Sequence, residues 1–411
     1  NLSSARILKR YGLILWTTGL DWYSPLTPGE TIMLSDYLHR GGRLVLTSQD
    51  LLEHRGNSQF VREDLGVFRY TYHTTPTQVI ALPDSPLGEM GLWNLNYPYQ
   101  NWSDHMIPHP SASPLLLDQK LGVVGIAHEK GDFRTNFFSF PLETLDETAR
   151  EVLIGRSLLW VSPLGESSLE LPPTSAEGAT IPITLTVGSA TTRTLSSVQA
   201  TLPLPAEMTI VNGSVSGGWV YRPSSHSLFW TGTLAPQEKI VLQADATLAS
   251  PIADGTHLRL RASLDAGDQL VLSSDAEIWI DVPWLVMQTQ VNPSAVWPGQ
   301  PVEYQVLLRN SGQLTASVRL TGTLPLPLTL ITQTLEASSG DVLAQWGRLE
   351  WHGMIPPNDS LLITYRGTPG FWNPFSAIVT WFEVDAPYQR LGRGIALYIA
   401  GQRYFPIIRL P

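Results

Sequence analysis

The sequence predicts a multidomain α/β plus all-β protein: a doubly wound, mostly parallel sheet followed by two β-sandwiches. Three observations carry this reading. A block of sequence occurs twice: Thr201-Leu202-Pro203-Leu204-Pro205, then Leu228-Phe229-Trp230-Thr231-Gly232, returns as Thr323-Leu324-Pro325-Leu326-Pro327, then Leu349-Glu350-Trp351-His352-Gly353. Leu202 and Leu324 stand 122 positions apart, and Trp230 and Trp351 stand 121 apart. A seven-strand sandwich needs about 100 residues, so the spacing fits one module and its linker. Ahead of the repeats, two apolar runs, Tyr11–Thr18 and Arg43–Ser48, enclose a helical pattern, the order of a βαβ unit. From Thr180 onward short stretches (TIPITLTV, VQATLPLP) alternate apolar and polar residues between turn residues, as antiparallel strands with one buried face do.

A chain of 411 residues outgrows a single core, and the boundaries fall at 1–162, 163–282 and 283–411. Hydrophobic residues make up 43% and include 14 Trp, enough for well-formed cores, while charged residues are only 15%. The net charge of −10, with no cluster of Lys and Arg, excludes a nucleic-acid partner. There is no cysteine, which excludes thiol nucleophiles, thiolate-held metals and disulfide staples. No apolar run reaches the roughly 18–20 residues of a membrane span, and the opening residues are not expected to form a signal peptide. Because the first residue is Asn1, the expectation is a processed or trimmed piece of a longer protein.

In the first domain, Tyr11–Thr18 reads as a strand buried on both faces. Thr27-Pro28-Gly29-Glu30 is a capping box with proline at the first helical position, and the helix it opens carries Ile32, Leu34, Tyr37 and Leu38 to Gly41-Gly42. Arg43–Ser48 is the next strand. Ser58–Leu65 reads as a short helix closed by Gly66, and Val67–Tyr72 and Thr77–Leu82 as strands. Residues 83–114, rich in Pro, Asn and Trp, exceed an ordinary loop and read as a lid or binding surface. Leu121–His128 and Thr135–Phe140 close the sheet, and Thr144-Leu145-Asp146-Glu147 caps a helix that runs to Val161.

Three stretches here, WTTGLDW, GGRLVLTSQD and FRTNFFSFPLE, in that order, resemble the class I glutamine-amidotransferase-like, flavodoxin-like domains over residues 1–162. That resemblance implies a cysteine nucleophile after a strand, where this sequence has Ser48-Gln49-Asp50. It also implies a downstream histidine–glutamate pair, where the last strand runs into Phe140-Pro141-Leu142-Glu143. The chemistry of the family is thus excluded. The resemblance further implies a first, central strand ahead of Tyr11, for which Asn1–Arg10 leaves too little room. The expectation is an interior gap filled by an upstream fragment or a neighbouring molecule.

Pro163–Ser175 is a joint rich in Gly, Ser and Pro, and the second repeat opens at Pro301 after a boundary near Asp281–Pro283. Asn310-Ser311-Gly312, Leu324-Pro325 and Trp351-His352-Gly353 in copy two, with Leu202-Pro203 and Trp230-Thr231-Gly232 in copy one, resemble the DUF11-type immunoglobulin-like repeat of bacterial surface proteins over residues 168–400. Copy one has Gly188-Ser189-Ala190 in place of the Asn-Ser-Gly turn. The resemblance implies a spacer or adhesive module without catalytic residues. The apolar tail Tyr404–Pro411 reads as a final strand, with a sorting or assembly segment as the other reading.

A doubly wound sheet binds ligands at the carboxyl ends of its strands. Asp21, Ser48, Asp50 and Glu143 follow strand ends there, and the long loop can bring Asp104 and His105 beside them as a hard-metal site or an acid/base pair. Set against that, Asp21 and Asp50 are ordinary loop caps and Glu143 suits a helix start. Ser48 with His105 or His109 lacks the Gly-x-Ser-x-Gly elbow of a hydrolase. Trp93, Tyr97, Tyr99 and Trp102 can stack on sugar rings or simply pin the loop to its own domain. Asn101-Trp102-Ser103, Asn212-Gly213-Ser214 and Asn358-Asp359-Ser360 are glycosylation triplets that recur by chance. The reading expects no cofactor and no catalytic residue. It expects an extracellular or cell-surface structural or adhesive protein whose partners are other protein chains, by self-assembly or with an upstream fragment, and glycans. The other reading is the accessory region of a secreted hydrolase, or a carbohydrate-processing head with its site at the Asp21/Asp50 crevice.

Overall fold

A computed structural model describes residues 8, 10–19, 21–82, 85–88, 91–267, 270–370 and 377–399, and the tail 404–411 lies outside them. The described chain is mostly β. It forms two compact units, one of Asn1–Asp118 with Gly122–Ile280, the other of Asp281–Pro411 with Gln119–Leu121.

The first unit opens with a nine-stranded sheet. Its strands are β1 (Ile14–Thr17), β2 (Arg43–Thr47), β3 (Val67–Thr71), β4 (Gln78–Ala81), β5 (Trp93–Asn94), β6 (His105–Pro108), β7 (Ala112–Asp118), β8 (Val123–Lys130) and β9 (Phe133–Phe138). They lie in the order β1-β2-β9-β8-β7-β4-β5, with β6 pairing β3 and β8 off that path. Among the described residues three α-helices accompany them, α1 (Pro28–Leu38), α2 (Leu51–Arg55) and α3 (Glu147–Val161), with a π-helical turn at Phe60–Asp64. Thr27 caps α1 through the full capping box with Glu30. Leu34, Tyr37 and Leu38 of α1 pack on one face of the sheet with Leu44, Leu46 and Phe137. Leu153, Trp160 and Val161 of α3 pack on the other with Val45, Val124 and Phe138. Ile32 of α1 points to solvent.

The doubly wound expectation does not survive. Only β1–β2 and β2–β9 are parallel, while β9–β8, β8–β7, β7–β4 and β4–β5 are antiparallel. The reason is connection length. Parallel neighbours need a crossover of a dozen or more residues, and the β8–β9 link is the tight turn Gly131-Asp132, with Gly131 at φ 63°. Buried antiparallel strands covered on both faces carry the same continuous apolar runs as parallel ones. The interior gap is absent too, because β1 pairs directly with β2 from Ile14↔Leu44 to Thr17↔Thr47. The expected lid at 83–114 instead supplies β5, β6 and the start of β7. The second capping box shifts by two residues: Asp146 caps α3 by accepting from Ala149 N, and Thr144 closes a preceding 3-10 turn.

The first sandwich pairs a four-stranded sheet (Ser168–Glu170, Thr180–Gly188, Lys239–Leu248, Met208–Ile210) with a six-stranded one (Thr174–Ser175, Val271–Ile280, His257–Asp265, Leu195–Pro203, Ser227–Leu234, Val220–Arg222). The second repeats that order with Leu285–Asn292, Val302–Asn310, Ser360–Pro369, Leu328–Ala337 and with Ala295–Val296, Gln389–Ile399, Ile378–Ala386, Ala316–Thr323, Arg348–Ile355, Val342–Gln345. The recurrent Trp-x-Gly has a steric cause. A Cβ on Gly232 or Gly353 would collide with the ring of Trp230 or Trp351, which folds back over it. Asn310 of the Asn-Ser-Gly turn is fully buried. Its amide donates to Leu314 O and Ile355 O at 2.8 Å each, and its Oδ1 accepts from Trp284 N and Gly312 N.

Within the first unit the N-terminal sheet is bonded to the first sandwich through buried cations. Arg43 donates to Val161 O (2.6 Å), Ser162 O (3.0 Å) and Ala190 O (3.2 Å). Arg134 stacks on Trp160, pairs with Glu129 and also pairs with Glu166, which in turn holds Lys239 at 2.8 Å. Asp132 accepts from both N and Oγ1 of Thr192. Glu151 of α3 meets Arg259 and Arg261, which share Asp275.

Candidate functional site

The carboxyl ends of the parallel strands carry one charged constellation. Past the end of β2, Ser48 N donates to Phe138 O, and Ser48 Oγ accepts from Thr18 Oγ1 at 2.9 Å. Gln49 Oε1 accepts from Trp102 N, which draws the β5–β6 connection over this turn. Asp50 opens α2 but makes no side-chain cap, and its Oδ2 is buried without a hydrogen-bond partner. Asp104 accepts from His73 N at 2.9 Å, while its carbonyl accepts from Ser139 Oγ. Both aspartates are buried, 3% and 1% exposed, beneath the exposed pair Glu53 and His73, whose Oε2 and Nε2 stand 3.4 Å apart. His54 Nε2 bonds Trp22 O at 2.6 Å, and Trp22 meets Trp102 edge to face with centroids 6.1 Å apart.

Burial and, secondarily, repulsion from Glu53 push the Asp50 carboxyl up to about 6. Burial also drives Asp104, up to about 8, opposed by the His73 N–H and reinforced by the Asp50 and Glu53 charges. Around neutrality one acid of the pair therefore holds a proton while the other is mostly ionised, a division that suits acid/base work or hydrogen bonding to a polar ligand.

The structure thus gathers Ser48, Asp50, Asp104 and Trp102 and separates the rest. Asp21 Oδ1 caps its own loop by accepting from Ser24 N. His105 Nε2 is bonded to Asp118 Oδ2 at 2.7 Å, and Asp118 Oδ1 holds the turn at Gly122. His109 is taken by Ser111, so neither histidine reaches Ser48. Exposed Glu143 accepts from Tyr99 OH at 3.0 Å. Trp93 and Tyr97 pack against the core on the α3 face, and Tyr97 OH bonds Ser103 Oγ, so these aromatics pin the segment to its domain. Among the described residues no three His, Asp or Glu side chains converge closely enough to hold a metal ion.

Glu53, His54, His73 and Trp22 were not singled out from sequence. The first two had a signal: Asp50, Glu53 and His54 stand at i, i+3 and i+4, the spacing that places side chains on one helix face. His73 and Trp22 arrive from loops distant in sequence and had none. Two shallow clefts lie elsewhere, one lined by His39, Gly41, Lys130 and Phe133, the other by Thr31, Ser35, Ser58 and Phe60.

No family model matches the sequence, and no curated protein matches it. Solved structures with a similar strand arrangement include the C-terminal domain of the Streptococcus agalactiae AgI/II polypeptide BspA (8% identity, 56% of this chain, 99% of that one, TM-score 0.24). Others are red sea bream transglutaminase (12%, 75% and 41%, TM-score 0.26) and the S. aureus collagen adhesin CNA (8%, 56% and 91%, TM-score 0.21). At these scores the likeness carries no functional argument, and the flavodoxin-like and DUF11 resemblances gain no support. No described helix is long and apolar enough to cross a membrane.

Proposed function

We propose that the chain is an extracellular structural or adhesive protein of a bacterial envelope, in which the two β modules act as spacers and the N-terminal sheet presents a binding surface. The observation that carries this reading is the joint at Arg43, Arg134 and Glu166. Buried guanidiniums bonded to carbonyls on both sides fix the N-terminal sheet to the first sandwich in one orientation, as a module that transmits load requires and a freely hinged one does not. Its partners in this reading are other protein chains, among them copies of itself, and glycans. Antibody labelling of intact native cells tests it: signal at the surface supports the proposal, and signal only after permeabilisation sinks it.

A second reading, a carbohydrate-processing head, is favoured by one observation, the split pair Asp50/Asp104 at the turn where Trp102 N bonds Gln49. Turnover of chromogenic glycosides that disappears in both Asp50→Asn and Asp104→Asn would support it, and absence of turnover across a broad panel would remove it.

A further inference from the structure

The two sandwiches share a fold but differ at one end. In the second, Gly299 N donates to Pro369 O, Gly370 N to Pro327 O and Leu324 N to Gly347 O, which gathers three loops there. Each loop raises one large apolar side chain into solvent: Trp297 at 56%, Leu326 fully exposed and Trp346 at 97%. In the first sandwich Leu204 N bonds His226 O and Met208 N bonds Pro205 O, as Leu324 N bonds Gly347 O and Leu328 N bonds Pro325 O in the second, so the residue matching Leu326 is the small, exposed Ala206. The repeat therefore does not need a large apolar side chain at the place of Leu326.

Trp346 is the more telling because its backbone does not favour it. Trp346 and Gly347 both have positive φ (52° and 74°) in a two-residue hairpin turn, where Asn-Gly or Asp-Gly is the favoured pair and a bulky residue is strained. Neither burial nor conformation selects tryptophan at this position. In a chain of net charge −10, the stretches Trp297–Gln300, Leu324–Pro327 and Gln345–Gly347 contain no charged residue, and the next residue, Arg348, is exposed and makes no ion pair among the described residues. The nearby Glu303 is paired with Arg366.

We propose that this end of the second sandwich docks on a phospholipid bilayer, with Trp297, Leu326 and Trp346 entering the headgroup layer. Three side chains projecting from separate loops would require three matched pockets on a protein partner, whereas a lipid interface conforms to them. Tryptophan is the residue enriched at that depth, and Arg348 complements anionic headgroups.

The test is flotation of the full chain with vesicles of phosphatidylcholine, alone and mixed with phosphatidylserine, beside the triple substitution Trp297→Ala, Leu326→Ala and Trp346→Ala. Because all three side chains are exposed, the variant keeps its melting profile. The expected result is binding that strengthens with phosphatidylserine, weakens in Arg348→Glu, and falls ~10-fold or more in the triple variant. Equal flotation of native and variant chains, or no flotation of the native chain, overturns the proposal. So does a concentration-dependent self-association in sedimentation velocity that the triple variant abolishes while flotation is unchanged, which would assign the surface to a second copy.

Discussion

Asp104 makes the stability of the N-terminal sheet depend on pH in a direction unusual for a carboxylate. Its folded-state value is about 8, against about 3.9 for an unfolded aspartate. Between those values the folded chain holds a proton that the unfolded chain has released. Stability is then complete below pH 4 and declines as pH rises toward 8, by about 1.4 kcal/mol per unit while the difference is one full proton. Asp50, raised to about 6, acts in the same direction, and the two titrate as a pair, so their effects do not add. The groups facing them are Glu53, His54 and His73. Asp132, lowered by its bonds from Thr192, and Glu166, where burial pushes upward but Lys239 and Arg134 together outweigh it, have the opposite sign but act only below about pH 4.5. Asp104→Asn keeps an oxygen for the His73 N–H and removes the titration. Urea denaturation from pH 5 to 9, with hydrogen exchange at residues 72–75 as the local probe, should find the variant within ~1 kcal/mol of the native chain at pH 5 and ~3 kcal/mol more stable at pH 8. If native stability is flat across this range, or the variant declines as steeply, Asp104 is not the buried acid described.

Three further outcomes follow from the packing. Arg134→Ala leaves Glu166 with Lys239 as its remaining ion-pair partner and empties the Trp160 stack, and should cost ~3 kcal/mol and split a joint calorimetric transition of the first unit into two. Asn310→Ala leaves Trp284 N, Gly312 N and two carbonyls without partners; a loss of ~2–4 kcal/mol, read by the urea midpoint of the second unit, is expected, with Asn310→Asp recovering only the two acceptor bonds. Thr27→Ala removes the capping box of α1 and should cost ~1 kcal/mol, visible as faster exchange in the first turn of that helix.

Much of the molecule was legible because its signals are local. Thr27 and Glu30 announce α1 three residues apart, the Trp-x-Gly spacing announces both sandwiches, and Asn-Ser-Gly announces a turn of the second, because a ring over a glycine and an amide inside a turn are short-range requirements. Period-two alternation sorted inward from outward positions for the same reason. Strand direction was not legible. Residues 124–128 and Phe133–Phe138 are buried on both faces, so their composition cannot distinguish a parallel from an antiparallel neighbour, and only the brevity of Gly131-Asp132 decides. At the candidate site, Ser48 and Asp50 were readable as residues following a strand. His105 turns from the site because its nearer partner, Asp118, lies thirteen residues on, at the end of β7.

Sequence by itself determined the repeat, the helix caps, the positions of most strands and the absence of thiol chemistry. Tertiary structure alone decided that the first sheet is mixed, that Asp50 and Asp104 are buried, and that Leu326 projects fully into solvent. The division has one cause. Turn, cap and alternation energies depend on neighbours within a few residues, whereas sheet direction, desolvation of a charge and exposure of a side chain depend on segments that meet only after the chain has folded.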